Sequence, residues 1–307
     1  MSMDLLIKKI KEKGNPSVVG LDPKLDYVPG FIIEKNFAEY GANLEGAANA
    51  ILDYNKALID SLYDVMPAVK PQSAYYEMYG VYGEKTLCET IAYAKSKGMY
   101  VLLDGKRNDI GATSEAYSTA YLGETKITEG KNLPAFGADG LTVNGYLGSD
   151  GIIPFTDNCK KFGKTIFVLV KTSNKSGIEL QDMELKDGRK VYERMAELVN
   201  QWGADSVGEY GYTSVGAVVG ATYPEEAKAL RQIMKKVYFL VPGYGAQGGS
   251  AKDVQYSFND DGLGAIVNSS RGIMCAYKKG DYRDEEFAVA AREEAIRMRE
   301  EIVSFIR

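Results

Sequence analysis

Eight short apolar runs, each ending on polar or glycine-rich residues, constrain this chain more than any other feature. They fall at 17–22, 68–71, 99–104, 140–143, 165–171, 217–221, 237–241 and 265–268. Runs this short, bounded by turn residues, read as buried strands. Between them apolar residues recur at the helical period over 44–65, 82–97, 110–122, 190–202, 224–235 and 285–306. Strands alternating with helices predict an α/β fold, and the count of eight points to a (β/α)8 barrel. A doubly wound open sheet is the competitor, since counting alone does not show closure. With 307 residues, no short repeat and no low-complexity linker, the expectation is one barrel domain over 1–307. Three stretches, 23–43, 123–136 and 172–188, read as irregular insertions. Each is expected after the carboxyl end of a strand, where barrel enzymes carry their substrate loops.

The most informative of these strand ends is Tyr100–Tyr121, where an apolar run meets Asp104, Lys106 and Asp109. Side chains alternate along a strand, so Asp104 and Lys106 are expected on one side, with Asp109 in the loop beyond. Lys70, between Val69 and Pro71 on the preceding strand, is placed to pair with Asp104. The plainer readings are a lysine snorkelling to the barrel rim and a solvated ion-pair cluster. Confined alternating charges stabilise and orient one another, whereas a single buried ion is costly.

Composition narrows the chemistry. The chain has no histidine, which removes Ser-His-Asp and Cys-His catalysis and the usual zinc sites. Acid–base work therefore falls to Lys, Asp, Glu or Tyr. A formal net charge of -5 gives no electrostatic case for nucleic acid, while leaving room for a local basic pocket. No stretch is long and apolar enough to span a membrane. The amino terminus, with Leu5, Leu6 and Ile10, suits a short charged helix rather than a signal peptide. Cys88, Cys159 and Cys275 are widely spaced, form no metal pattern, and read as free thiols in a reducing cytoplasm.

The last two strand ends suit a phosphate. Val241 to Gly249 reads VPGYGAQGG, whose glycines let backbone N–H groups approach an anion, or simply make tight turns. Arg271, in NSSRG after the eighth strand, can give two parallel charge-assisted hydrogen bonds. Phosphate sites built from the loops after strands seven and eight recur in barrels.

Lys70 followed by Asp104-x-Lys106-x-x-Asp109, Ile110 and Thr113 resembles orotidine 5′-phosphate decarboxylases, most closely their longer bacterial branch. The resemblance extends to GLDP at Gly20–Pro23, KTSN at Lys171–Asn174, PGYGAQGG at Pro242–Gly249 and Arg271. It implies decarboxylation of orotidine 5′-phosphate to UMP in pyrimidine biosynthesis, without cofactor or metal, by a homodimeric barrel. By the same resemblance Lys70, Asp104 and Lys106 act from one subunit, with Lys106 as proton donor, while Asp109, Ile110 and Thr113 reach the partner's site. Asp22 and Lys70 would hold ribose hydroxyls, and Thr172 and Ser173 would meet the pyrimidine edge. Gln247 would bridge base and phosphate, Pro242 and Gly243 would line the pocket, and Arg271 would grip the phosphate. Two rival readings are a magnesium-dependent phosphosugar decarboxylase or aldolase with the same D-x-K-x-x-D strand, and a non-catalytic nucleotide-binding barrel.

Overall fold

The structure, a computed structural model, describes residues 2–245 and 248–306. All eight expected strands are present: β1 (Ser17–Leu21), β2 (Ala68–Pro71), β3 (Tyr100–Arg107), β4 (Gly140–Val143), β5 (Thr165–Lys171), β6 (Val215–Val219), β7 (Phe239–Val241) and β8 (Ala265–Ser269). Each pairs in parallel with the next, and β8 returns to β1, so the sheet is a closed barrel and not the open alternative. Closure leaves no unpaired edge.

The period of two along each strand divides the core into two layers. Val19, Val69, Val101, Leu103, Val168 and Val267 face outward against the helices. Val18, Ala68, Leu102, Phe167, Leu240 and Ile266 fill the barrel itself. Helix α1 (Ser2–Lys13) contributes Met3, Leu6, Ile7 and Ile10 to that inner cluster. Ser2 Oγ lies 2.9 Å from the carbonyl of Asp139, just before β4, so α1 plugs the end where the strands begin. The expected short charged helix is therefore an amphipathic stopper, and the cavity is confined to the other end.

A wide ring inside a narrow barrel needs a gap opposite it. A methyl group at Gly216 on β6 would lie 2.5 Å from Phe167 Cδ1 and 2.9 Å from the carbonyl oxygen of Tyr238. Neither neighbour has room to yield, so Gly216→Ala is expected to destabilise the barrel by roughly 1–3 kcal/mol. A lowered urea midpoint with an unchanged m-value is the readout.

Most helices follow the expected register, each covering the outer face of the barrel. Helix α2 (Gly30–Tyr40) forms inside the stretch read as irregular at 23–43, and α3 (Leu44–Leu62) follows it, capped by Asn43. Helix α4 (Gly80–Ser96) leads to β3, and α5 (Gly111–Leu122) leaves it. Helix α6 (Ser149–Phe162) is a further helix beyond the expected patterns, and it carries Pro154 within it. Its buried Ile152, Phe155 and Cys159 hold the helix in spite of the lost hydrogen bond. The segment 123–136 corrects one expectation. It carries an exposed antiparallel hairpin, Thr125–Thr128 with Lys131–Leu133, between α5 and β4. A connection from helix to strand lies at the amino ends of the strands, so this insertion is on the far side from the cavity.

Candidate active site

At the carboxyl ends of the strands a cavity of about 750 Å³ opens, with an apolar floor of Leu169, Val218 and Leu240. Lys70 and Asp104 stand above that floor because each continues the inward parity of its strand, Ala68–Lys70 on β2 and Tyr100–Leu102–Asp104 on β3. Asp104 is the hub. Its Oδ2 accepts from Lys70 Nζ at 2.9 Å and from Gln72 Nε2 at 2.9 Å. Its Oδ1 accepts from Lys106 Nζ at 2.6 Å and from the Thr142 hydroxyl at 2.7 Å. The expected pairing of Lys70 with Asp104 is therefore present. Asp22, from the end of β1, lies 3.9 Å from the Lys70 ammonium.

Lys106 reaches Asp104, but not by the flat alternation inferred from sequence. Strand β3 advances from Leu103 to Arg107 while β4 advances only from Leu141 to Val143, so β3 bulges. Within the bulge Lys106 takes a φ of 48°, the only non-glycine at positive φ among the described residues. That conformation costs about 1–2 kcal/mol. It is held by the Lys106 N–H donating to Thr142 Oγ1 at 3.0 Å, the same hydroxyl that donates to Asp104. Strain stabilised by its surroundings is characteristic of functional positions.

The electrostatics follow from the geometry. Burial alone would raise the Asp104 carboxyl, but Lys70 and Lys106 outweigh it and hold the group well below the ordinary carboxylate range. Burial alone would lower the Lys70 ammonium, yet Asp104 and Asp22 carry it above its ordinary value. Both groups are thus ionised across neutral pH, in a site where Lys70 is only 3% exposed.

Most of the expected site residues meet here. Asp22, Lys70, Asp104, Lys106, Thr172, Ser173, Pro242, Gly243 and Arg271 all line the cavity. The Arg271 guanidinium makes no hydrogen bond or ion pair among the described residues, and Asp22 Oδ1 is buried without a hydrogen-bond partner. Three expected residues lie elsewhere: Asp109, Ile110 and Thr113 follow the end of β3 and are outside the lining, with Ile110 55% exposed. Gln247 falls outside the described residues. Gln72, Thr142, Asn268 and Ser270 also line the cavity; the sequence marks Gln72, Asn268 and Ser270 only as polar strand ends, with no role, and leaves Thr142 unmarked. A threonine two residues after Gly140, inside an apolar run, was the available signal for Thr142. Among the described residues no group of three or more His, Cys, Asp or Glu side chains is placed to hold a metal ion.

The fold and the cavity define a (β/α)8 barrel that carries a charged cradle over an apolar floor, with the Arg271 guanidinium unpaired among the described residues. The chain belongs to the orotidine 5′-phosphate decarboxylase / HUMPS family, whose profile matches residues 19–282. It is 41% identical over 283 residues to the orotidine 5′-phosphate decarboxylase of Caldicellulosiruptor bescii, covering 92% of each chain. It is 40% identical over 306 residues to that of Clostridium tetani, covering 100% of this chain and 99% of the other. Among solved structures, Leishmania donovani OMP decarboxylase aligns with a TM-score of 0.75 at 29% identity, covering 99% of this chain and 98% of that one.

Proposed function

We propose that this chain decarboxylates orotidine 5′-phosphate to UMP in pyrimidine biosynthesis, without a cofactor. The observation that carries the reading is the Asp104 carboxylate fixed between Lys70 and Lys106 over an apolar floor. Loss of carbon dioxide leaves the bonding pair on ring carbon 6 as a vinyl carbanion. An ammonium beside that carbon stabilises the charge as it develops and then supplies the proton that completes UMP. Lys106 takes this role, and Asp104 holds its ammonium in place. Asp104 also lies near the departing carboxylate. Two like charges about 4 Å apart repel by roughly 4 kcal/mol at an effective dielectric near 20. Relief of that repulsion is a minor share of a barrier reduction that approaches ~20 kcal/mol for the slowest reactions.

The remaining residues bind and orient. The unsatisfied Asp22 Oδ1, beside Lys70, supports a role in holding ribose hydroxyls. Thr172 and Ser173 meet the base, Pro242 and Gly243 line the nucleotide, Gln247 bridges base and phosphate, and Arg271 grips the phosphate. Arg271→Ala is expected to raise KM roughly 100-fold through two lost charge-assisted hydrogen bonds. An unchanged KM would place the phosphate elsewhere.

Asp109, Ile110 and Thr113, outside this chain's own cavity, complete the cavity of a second copy in a homodimer. Exposed Ile110, Tyr146 and Leu147, on the segments after β3 and β4, supply apolar surface for that contact. The whole chain serves as one barrel domain in the cytoplasm, consistent with its three free cysteines; no helix among the described residues is long and apolar enough to cross a membrane.

Following the ultraviolet absorbance of orotidine 5′-phosphate tests the reading directly. Turnover that persists in EDTA is expected. Turnover that EDTA abolishes favours the magnesium-dependent alternative, and binding of UMP without turnover favours the non-catalytic one.

A further inference from the structure

Strand β5 ends on Lys171, which is wholly buried yet absent from the cavity lining. Its Nζ lies 2.6 Å from Asp182 Oδ1 and 4.5 Å from the centre of the Tyr223 ring. Breaking a buried ion pair is costly, so this contact ties the 172–188 loop back to the strand. The residue before Asp182, Gln181, is thereby held against Thr172. Thr172 N–H donates to Gln181 Oε1 at 3.0 Å, and Gln181 Nε2 donates to Thr172 Oγ1 at 2.7 Å. A backbone N–H can only donate, which settles which end of the Gln181 amide is oxygen.

The Thr172 hydroxyl, having accepted from Gln181, gives its own proton to Asn174 Oδ1 at 2.6 Å. Asn174 is left with its Nδ2 donor end uncommitted among the described residues, and Thr172, Asn174 and Gln181 all line the cavity. We infer that this relay sets base specificity: Asn174 offers an N–H to a ring carbonyl of a uracil-type base and rejects the amino group of cytosine, with Gln181 as the positioning residue. The inference rests on the nucleotide reading given above.

The test compares UMP and CMP as inhibitors of orotidine 5′-phosphate turnover in the wild type, Asn174→Asp and Gln181→Glu. The wild type is expected to hold UMP about 100-fold tighter than CMP. Asn174→Asp replaces the donor with an acceptor of the same shape, and Gln181→Glu cannot donate to Thr172, which reverses the relay. Each is expected to cut the UMP preference about tenfold or more, with KM for substrate rising by more than kcat falls. The added negative charge weakens both nucleotides alike, so the ratio isolates the base edge. Asn174 is exposed, so its variant is expected to fold even if the Gln181 variant does not. An equal loss of both inhibitors, or a wild type with no preference, overturns the inference. A wild type that does not turn over orotidine 5′-phosphate overturns the functional reading itself, before any variant is compared.

Discussion

Replacing Lys106 with alanine is expected to lower turnover by about 10⁵-fold, since the proposed mechanism then loses both its proton donor and the charge that stabilises the carbanion. The fold should survive. Lys106 has a side chain 45% exposed, and Asp104 keeps Lys70, Gln72 and Thr142 as partners. A surface-facing ion pair of this exposure contributes at most about 1 kcal/mol to stability. Near-normal kcat in a folded Lys106→Ala chain would remove this residue from the chemistry. The same variant tests the proposed sharing of the site between two subunits. Mixed with Asp109→Ala, it is expected to regain about a quarter of wild-type activity, because half of randomly exchanged dimers then carry one intact cavity. No recovery on mixing, with subunit exchange demonstrated, would confine Asp109 to its own chain.

Asp104→Ala should act on both activity and stability. It removes the carboxylate that orients Lys106, and it leaves the Lys70 ammonium buried with only Asp22, at 3.9 Å. Breaking a buried pair by deleting one partner costs roughly 3–5 kcal/mol. Turnover is expected to fall by about 10⁴-fold or more, and the urea midpoint to fall with it. Stability equal to the wild type would mean that water already solvates Lys70.

The pH dependence has a definite sign. Asp104 titrates below its unfolded value, so its contribution to stability is present above about pH 4 and is lost as pH falls through the lower folded value. Lys70 titrates above its unfolded value, so its contribution is full below about pH 10 and is lost as pH rises through the higher folded value. The pair therefore leaves stability flat between roughly pH 5 and 9. In Asp104→Ala the low-pH loss due to this carboxylate should disappear. An acid limb unchanged in that variant would assign it to other carboxylates.

Much of the barrel was legible because its signals are local. Apolar runs of four to seven residues, ended by Asp22, Lys70, Asp104, Lys171 or Asn268, mark both a strand and the end of it that carries polar groups. The period of two then places Lys70 and Asp104 inside, since an inward lysine and aspartate on adjacent strands can satisfy each other. The hairpin at 125–133 lies at the opposite end of the barrel from that expected for the 123–136 insertion, because an insertion's face depends on whether a helix or a strand precedes it.

What the sequence alone determined is the alternation of strand and helix, the inward parity of Lys70 and Asp104, and the absence of histidine, which confines acid–base work to Lys, Asp, Glu or Tyr. Tertiary structure decided how Lys106 meets Asp104. The bulge in β3 and the left-handed backbone at Lys106 exist only because β4 supplies the Thr142 hydroxyl, a contact between residues 36 apart in the chain. It likewise decided that Gln181 polarises Thr172, through a loop anchored by the buried Lys171. Hydrogen-bond direction and backbone strain are properties of neighbours brought together by folding, and no periodicity along one strand encodes them.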